Sequence, residues 1–147
     1  MAQNRDLAAL ESLGSTLKDS VSGYENAAQT VADAGIERYL MEKAHARRGL
    51  LDAFRQHITR LGGDPDISGS VAGSLHQRWL DLRSMFQDNT RAAVAEVERG
   101  EEYLKERFDS HLVSGDLSPD VRNFLADAYA KAKFDNATWE RLVSDHR

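Results

Sequence analysis

Apolar residues recur at alternating spacings of three and four at the start of the chain: Leu7, Leu10, Gly14, Leu17, Val21, Tyr24, Ala28 and Val31. An α-helix brings residues so spaced onto one face, so this stretch predicts a long amphipathic helix. A turn near Ala32 to Gly35 leads to a second helix, whose apolar face carries Ile36, Leu40, Ala44, Leu51, Phe54, Ile58 and Leu61. The pattern stops at Gly62-Gly63-Asp64-Pro65, where glycine permits a left-handed cap and proline prevents continuation.

Ser68 or Ser70 can cap a shorter third helix through Phe86, with Val71, Leu75, Trp79, Leu82 and Phe86 along one side. Gln87-Asp88-Asn89 interrupts it, and a fourth helix to Val113 presents Ala93, Val94, Val97, Leu104, Phe108 and Leu112. Gly115 is a stop signal, and Ser118-Pro119-Asp120 reads as an N-cap, a first-turn proline and a first-turn acid. A fifth helix is expected to run on towards Val143, with Val121, Phe124, Leu125, Ala128, Ala132, Trp139 and Leu142 inward. Nothing reads as a hairpin or a βαβ unit, so the expected class is all-α, with residues 1–147 forming one domain. If the shorter helix runs back along the bundle, the fourth helix becomes parallel to the second. That is the long crossover of a ferritin-like antiparallel four-helix bundle.

Four strings in this layout carry a resemblance: Gly23-Tyr24-Glu25 followed by Ala27-Ala28, then Gly62-Gly63-Asp64-Pro65, Leu75-His76-Gln77-Arg78-Trp79 and Glu98-Arg99-Gly100-Glu101. Together they resemble a bacterial family of ferritin-like four-helix-bundle proteins catalogued only as a domain of unknown function. The resemblance spans nearly the whole chain and implies the ferritin-like fold; it implies no particular reaction. The family pattern has a histidine near the position held here by Asp135.

Composition narrows the partners. A net charge of -5 leaves no basic stripe for phosphates, so nucleic acid is not an expected partner. The absence of cysteine removes disulfides, redox thiols and thiolate-held zinc or iron-sulfur sites. No apolar run approaches the roughly 18 residues of a membrane span, and the first residues carry no secretory pattern, so a cytoplasmic location is the expectation.

A ferritin-like di-iron or di-manganese centre needs a Glu on two helices and Glu-x-x-His on the other two, because two divalent cations must be charge-balanced inside an apolar bundle. Glu42-Lys43-Ala44-His45 has that spacing, and Glu25, Glu101 and Asp135 complete a candidate ligand set. Advancing about 100° per residue, however, turns His45 nearly opposite the apolar face and leaves Glu42 on its flank. The same reckoning puts Lys43 and Arg47 near the middle of that face, with Glu101 central on the fourth helix and Asp135 near-central on the fifth. Buried charge must be paired, so a mid-bundle layer of Lys43, Arg47, Glu101 and Asp135 is expected, with Glu25 completing the network at the edge of its stripe.

Two functions follow. The first is a non-catalytic bundle with a structural or protein-interaction role and no cofactor, placed in stress-related settings by analogy with ferritin-like proteins. The second is a carboxylate-bridged di-iron or di-manganese protein that binds or oxidises metal. His57, His111 and His146 read as surface or boundary residues, and His76 as a packing partner near Trp79. The regular stripe on the first helix, with Met41 and Met85 left over, leaves room for a homodimer or another protein partner.

Overall fold

The computed structural model describes residues 2–67 and 90–146. The expected connecting helix bearing Val71, Leu75, His76, Trp79, Leu82, Met85 and Phe86 lies outside them. Among the described residues the chain forms α1 (Ala2–Thr30), α2 (Ala34–Arg60), α3 (Thr90–Val113), α4 (Pro119–Ala132) and α5 (Asn136–Val143), then a 3-10 turn at Ser144–His146. None of these helices is long and apolar enough to cross a membrane.

Local chemistry sets the helix ends. Asp33 starts α2 by accepting the Gly35 and Ile36 N–H groups at 2.8 and 3.0 Å, which satisfies donors that the first turn otherwise leaves unpaired. α2 closes through the hydrogen bonds Gly62 N–H to Thr59 O and Gly63 N–H to Ile58 O, with Gly62 in the left-handed region at φ +83°. This glycine-terminated closure is the one the Gly-Gly-Asp-Pro string predicts. Ser118 caps α4 through Val121 N–H, behind Pro119 in the first turn.

The apolar residues gather in two clusters. One joins Leu10, Leu13 and Leu17 of α1 to Leu51, Phe54 and Ile58 of α2, Leu104 and Phe108 of α3, and Val121, Leu125 and Ala128 of α4. The other joins Tyr24, Ala28 and Val31 to Ile36, Leu40, Ala44, Ala93, Val94, Val97, Trp139 and Val143. The early half of α1 therefore packs on the late halves of α2 and α3, and its late half packs on their early halves. So α2 and α3 run in the same direction, both antiparallel to α1, and α4 with α5 runs back against α3 and α2, in the direction of α1. The end of α2 and the start of α3 consequently lie at opposite ends of an all-α bundle.

The expected continuous fifth helix is corrected by a break. α4 ends at Ala132 and α5 starts afresh after Asp135, which accepts Thr138 N–H at 3.1 Å and the Thr138 hydroxyl at 2.6 Å. An aspartate followed by Asn136-Ala137-Thr138 is a helix-start signature, and it prevails over the apolar spacing that runs through it. The break lets Trp139 turn into the second cluster, where it is 1% exposed and donates its indole N–H to Glu98 at 2.9 Å.

Candidate functional site: a buried arginine network

Arg47 stands three residues beyond Ala44 on the inward face of α2, between the two apolar clusters, and is 2% exposed. A guanidinium in that position needs partners for its donors, and three oxygens supply hydrogen bonds. Nη2 donates to Glu101 of α3 at 2.9 Å and to the Ala132 carbonyl at the end of α4 at 2.9 Å, while Nη1 donates to Ser20 of α1 at 2.7 Å. The guanidinium also lies 5.4 Å from the centre of the Tyr24 ring. One side chain thereby touches all four helical columns of the bundle.

Glu101 closes the network. Its side chain is 11% exposed; one oxygen accepts from Arg47 and the other accepts the Tyr24 hydroxyl. Burial, then the Glu101 charge, raise the Tyr24 phenol far above its ordinary range, so it stays a donor. Burial works against the Arg47 charge, but Glu101 and Tyr24 outweigh it and hold the guanidinium ionised. A buried ion pair whose remaining lone pairs and protons are also bonded avoids most of the penalty of an incomplete one.

The other residues expected in this layer are placed differently. Lys43 is half-buried one turn before Arg47, its ammonium 5.6 Å from the Tyr39 ring centre and 5.9 Å from that of Phe134. Asp135 is exposed, because the new helix start uses it as a cap; its carboxyl is held below the usual range by the Thr138 hydroxyl and backbone N–H. Glu25 is drawn to the surface, where it pairs with Arg48, the two side chains being 38% and 45% exposed.

The residues of the alternative metal set are not brought together either. Glu42 and His45 are both exposed, Glu25 and Asp135 are engaged elsewhere, and Glu101 faces an arginine. Among the described residues no three His, Asp or Glu side chains converge as ligands.

Three participants escape the sequence reading. Tyr24 appears there as an apolar stripe residue and in a family string, with no bonding role, and Ser20 not at all, since a phenol or hydroxyl bonding across helices leaves no local mark. His57, expected at the surface or boundary, is 6% exposed; its ring packs 4.6 Å from Phe124, Nε2 lies 3.5 Å from Asp120, and Nδ1 has no hydrogen-bond partner. Its signal was available, because His57 adjoins Ile58 and follows Phe54 at a spacing of three on the same face.

Beside Glu101 a cleft of about 580 Å³ opens between α3 and the α4–α5 segment, walled by Phe108, Tyr129 and Phe134 and rimmed by Lys105 and Lys133. Comparison with known proteins finds one family model, described as a domain of unknown function (DUF2383), matching residues 6–114. No curated protein and no solved structure matches the chain at a significant level.

Proposed function

The chain belongs to the DUF2383 family, a domain of unknown function, and on that premise we propose that it is a non-catalytic, ferritin-like helical bundle of the cytoplasm that works as a structural or protein-interaction module. The carrying observation is the Arg47–Glu101 pair with Tyr24. The carboxylate best placed to ligate a metal at mid-bundle is committed to a guanidinium and a phenol, and a fixed cation in that space opposes a divalent one electrostatically.

The ferritin-like reading rests on the parallel course of α2 and α3, the arrangement that a long crossover produces. A module of this kind acts through the outward faces of its helices, on another protein or on a second copy of itself. The test is elemental analysis of protein purified without chelator, alongside light scattering over a concentration series. Sub-stoichiometric iron, manganese and zinc, with a mass set by self-association or by an added partner, is the expected result. Two metal equivalents per chain, lost in Glu101→Ala, would overturn it.

A further inference from the structure

We propose that Lys43 is an acylation site: a half-buried amine, set against the Tyr39 and Phe134 rings and one helical turn from the Arg47 guanidinium, that accepts an activated acyl group. Glu101 is taken by Arg47 and Tyr24, and Asp135 caps α5, so among the described residues Lys43 has no ion-pair partner at hydrogen-bond distance. Its ammonium rests on aromatic faces instead, 5.6 and 5.9 Å from the ring centres. Every charged or titratable group acting on it is accounted for: Arg47 from its own helix opposes the charge, while Glu101 of α3 and Asp135 before α5 favour it.

A second observation concerns Tyr39, one turn earlier on α2. Its hydroxyl is buried and has no hydrogen-bond partner, a state that costs stability wherever the group is desolvated. An acyl group on Lys43 brings a carbonyl oxygen, an acceptor, to the edge of that ring. Acylation also removes the surplus cation beside Arg47 and leaves an apolar-bodied amide against Phe134.

The chemistry is that of a free amine. Burial, then the Arg47 charge, lower the Lys43 pKa below the ordinary lysine value, which raises the fraction of unprotonated nitrogen near neutral pH. The nitrogen lone pair attacks the acyl carbonyl, a C–N bond forms, and the bond to the donor's sulfur or phosphate oxygen breaks. The thiolate or phosphate departs with the electron pair, and the amine's proton passes to solvent.

The experiment uses the folded chain with acetyl phosphate in one arm and acetyl-coenzyme A in the other, at neutral pH, with site-resolved mass spectrometry. Lys105, Lys131 and Lys133, all exposed, serve as internal references. The expected result is several-fold faster acetylation of Lys43 than of these three in at least one arm, which also identifies the donor class, and loss of that advantage in urea. Stoichiometric acetylation should raise the Tm of the wild-type chain by more than that of Tyr39→Phe. Acetylation of Lys43 no faster than of the three reference lysines in both arms would overturn the proposal, and so would a Tm gain equally large in Tyr39→Phe.

Discussion

Arg47 of α2 and Glu101 of α3 meet at 2.9 Å with side chains 3% and 11% exposed, the most buried ion pair among the described residues. Removing the acid leaves a guanidinium in the core without its counter-charge. Glu101→Ala is therefore expected to cost about 3 to 5 kcal/mol by chemical denaturation at neutral pH, against about half a kcal/mol or less for an exposed acid such as Glu102. Replacing both partners, Arg47→Met with Glu101→Leu, should recover much of the loss because both desolvation penalties disappear. A loss for Glu101→Ala within the surface range would contradict the network.

Tyr24→Phe keeps the ring against Arg47 and deletes only the phenol that donates to Glu101. The expected cost is about 1.5 to 3 kcal/mol, the range for a hydrogen bond to a charged group. In the Glu101→Ala background the same change should cost much less, and a double-mutant cycle measures the difference. Additive effects would mean that the two groups are not coupled.

Much of this was legible in the chain. The α1 stripe, the glycine stop after α2 and the inward phase of Arg47 all follow from spacing, because a period of 3.6 residues converts sequence directly into direction. Asp135 marks where that conversion ends: phase is meaningful only within an unbroken helix, and the break at Lys133 resets it. Tyr24 and Ser20 escaped for another reason. Their partners lie 77 and 27 residues away in sequence, and hydrogen bonds across helices follow from tertiary packing.

His57→Phe should be neutral or stabilising. The substitution preserves an aromatic ring against Phe124 and removes a buried nitrogen with no partner, a penalty of about 1 kcal/mol or more when unrelieved. Thermal unfolding near neutral pH measures it. A drop in Tm would show that the Nε2 contact to Asp120 at 3.5 Å outweighs the unpartnered Nδ1.

Two glycines should respond in opposite directions. Gly49 lies within α2 with open space around its Cβ position, so Gly49→Ala is expected to stabilise by about 0.5 to 1 kcal/mol. Gly62 also has open space, but its φ of +83° penalises any side chain, and Gly62→Ala should destabilise by about 1 to 2 kcal/mol. Denaturation midpoints for the pair separate backbone strain from steric crowding.

Acid should loosen the start of α2. The Asp33 carboxyl is held below the usual carboxylate range, chiefly by the Ile36 N–H and then by His146. A lowered folded value means that the cap contributes above the ordinary carboxylate range and is lost as pH falls through its own lower value. Amide exchange at Gly35 and Ile36 is expected to accelerate across that interval, and Asp33→Asn, which keeps an acceptor, should flatten the dependence. Exchange rates unaffected by acid would contradict the cap's role.

The two apolar clusters lie on either side of Arg47, and that placement works as a vernier for the helices. Sliding α2 along its neighbours by one turn, about 5.4 Å, would carry the guanidinium away from Glu101 and Ser20 and into hydrocarbon, while apolar contacts on both sides would merely exchange one aliphatic partner for another. Grease alone tolerates such slippage, so this polar notch, with the Arg48–Glu25 and Trp139–Glu98 contacts, holds the longitudinal alignment of the columns. Repacking either half with other apolar residues of similar volume should leave that alignment in place, as the notch lies between the halves.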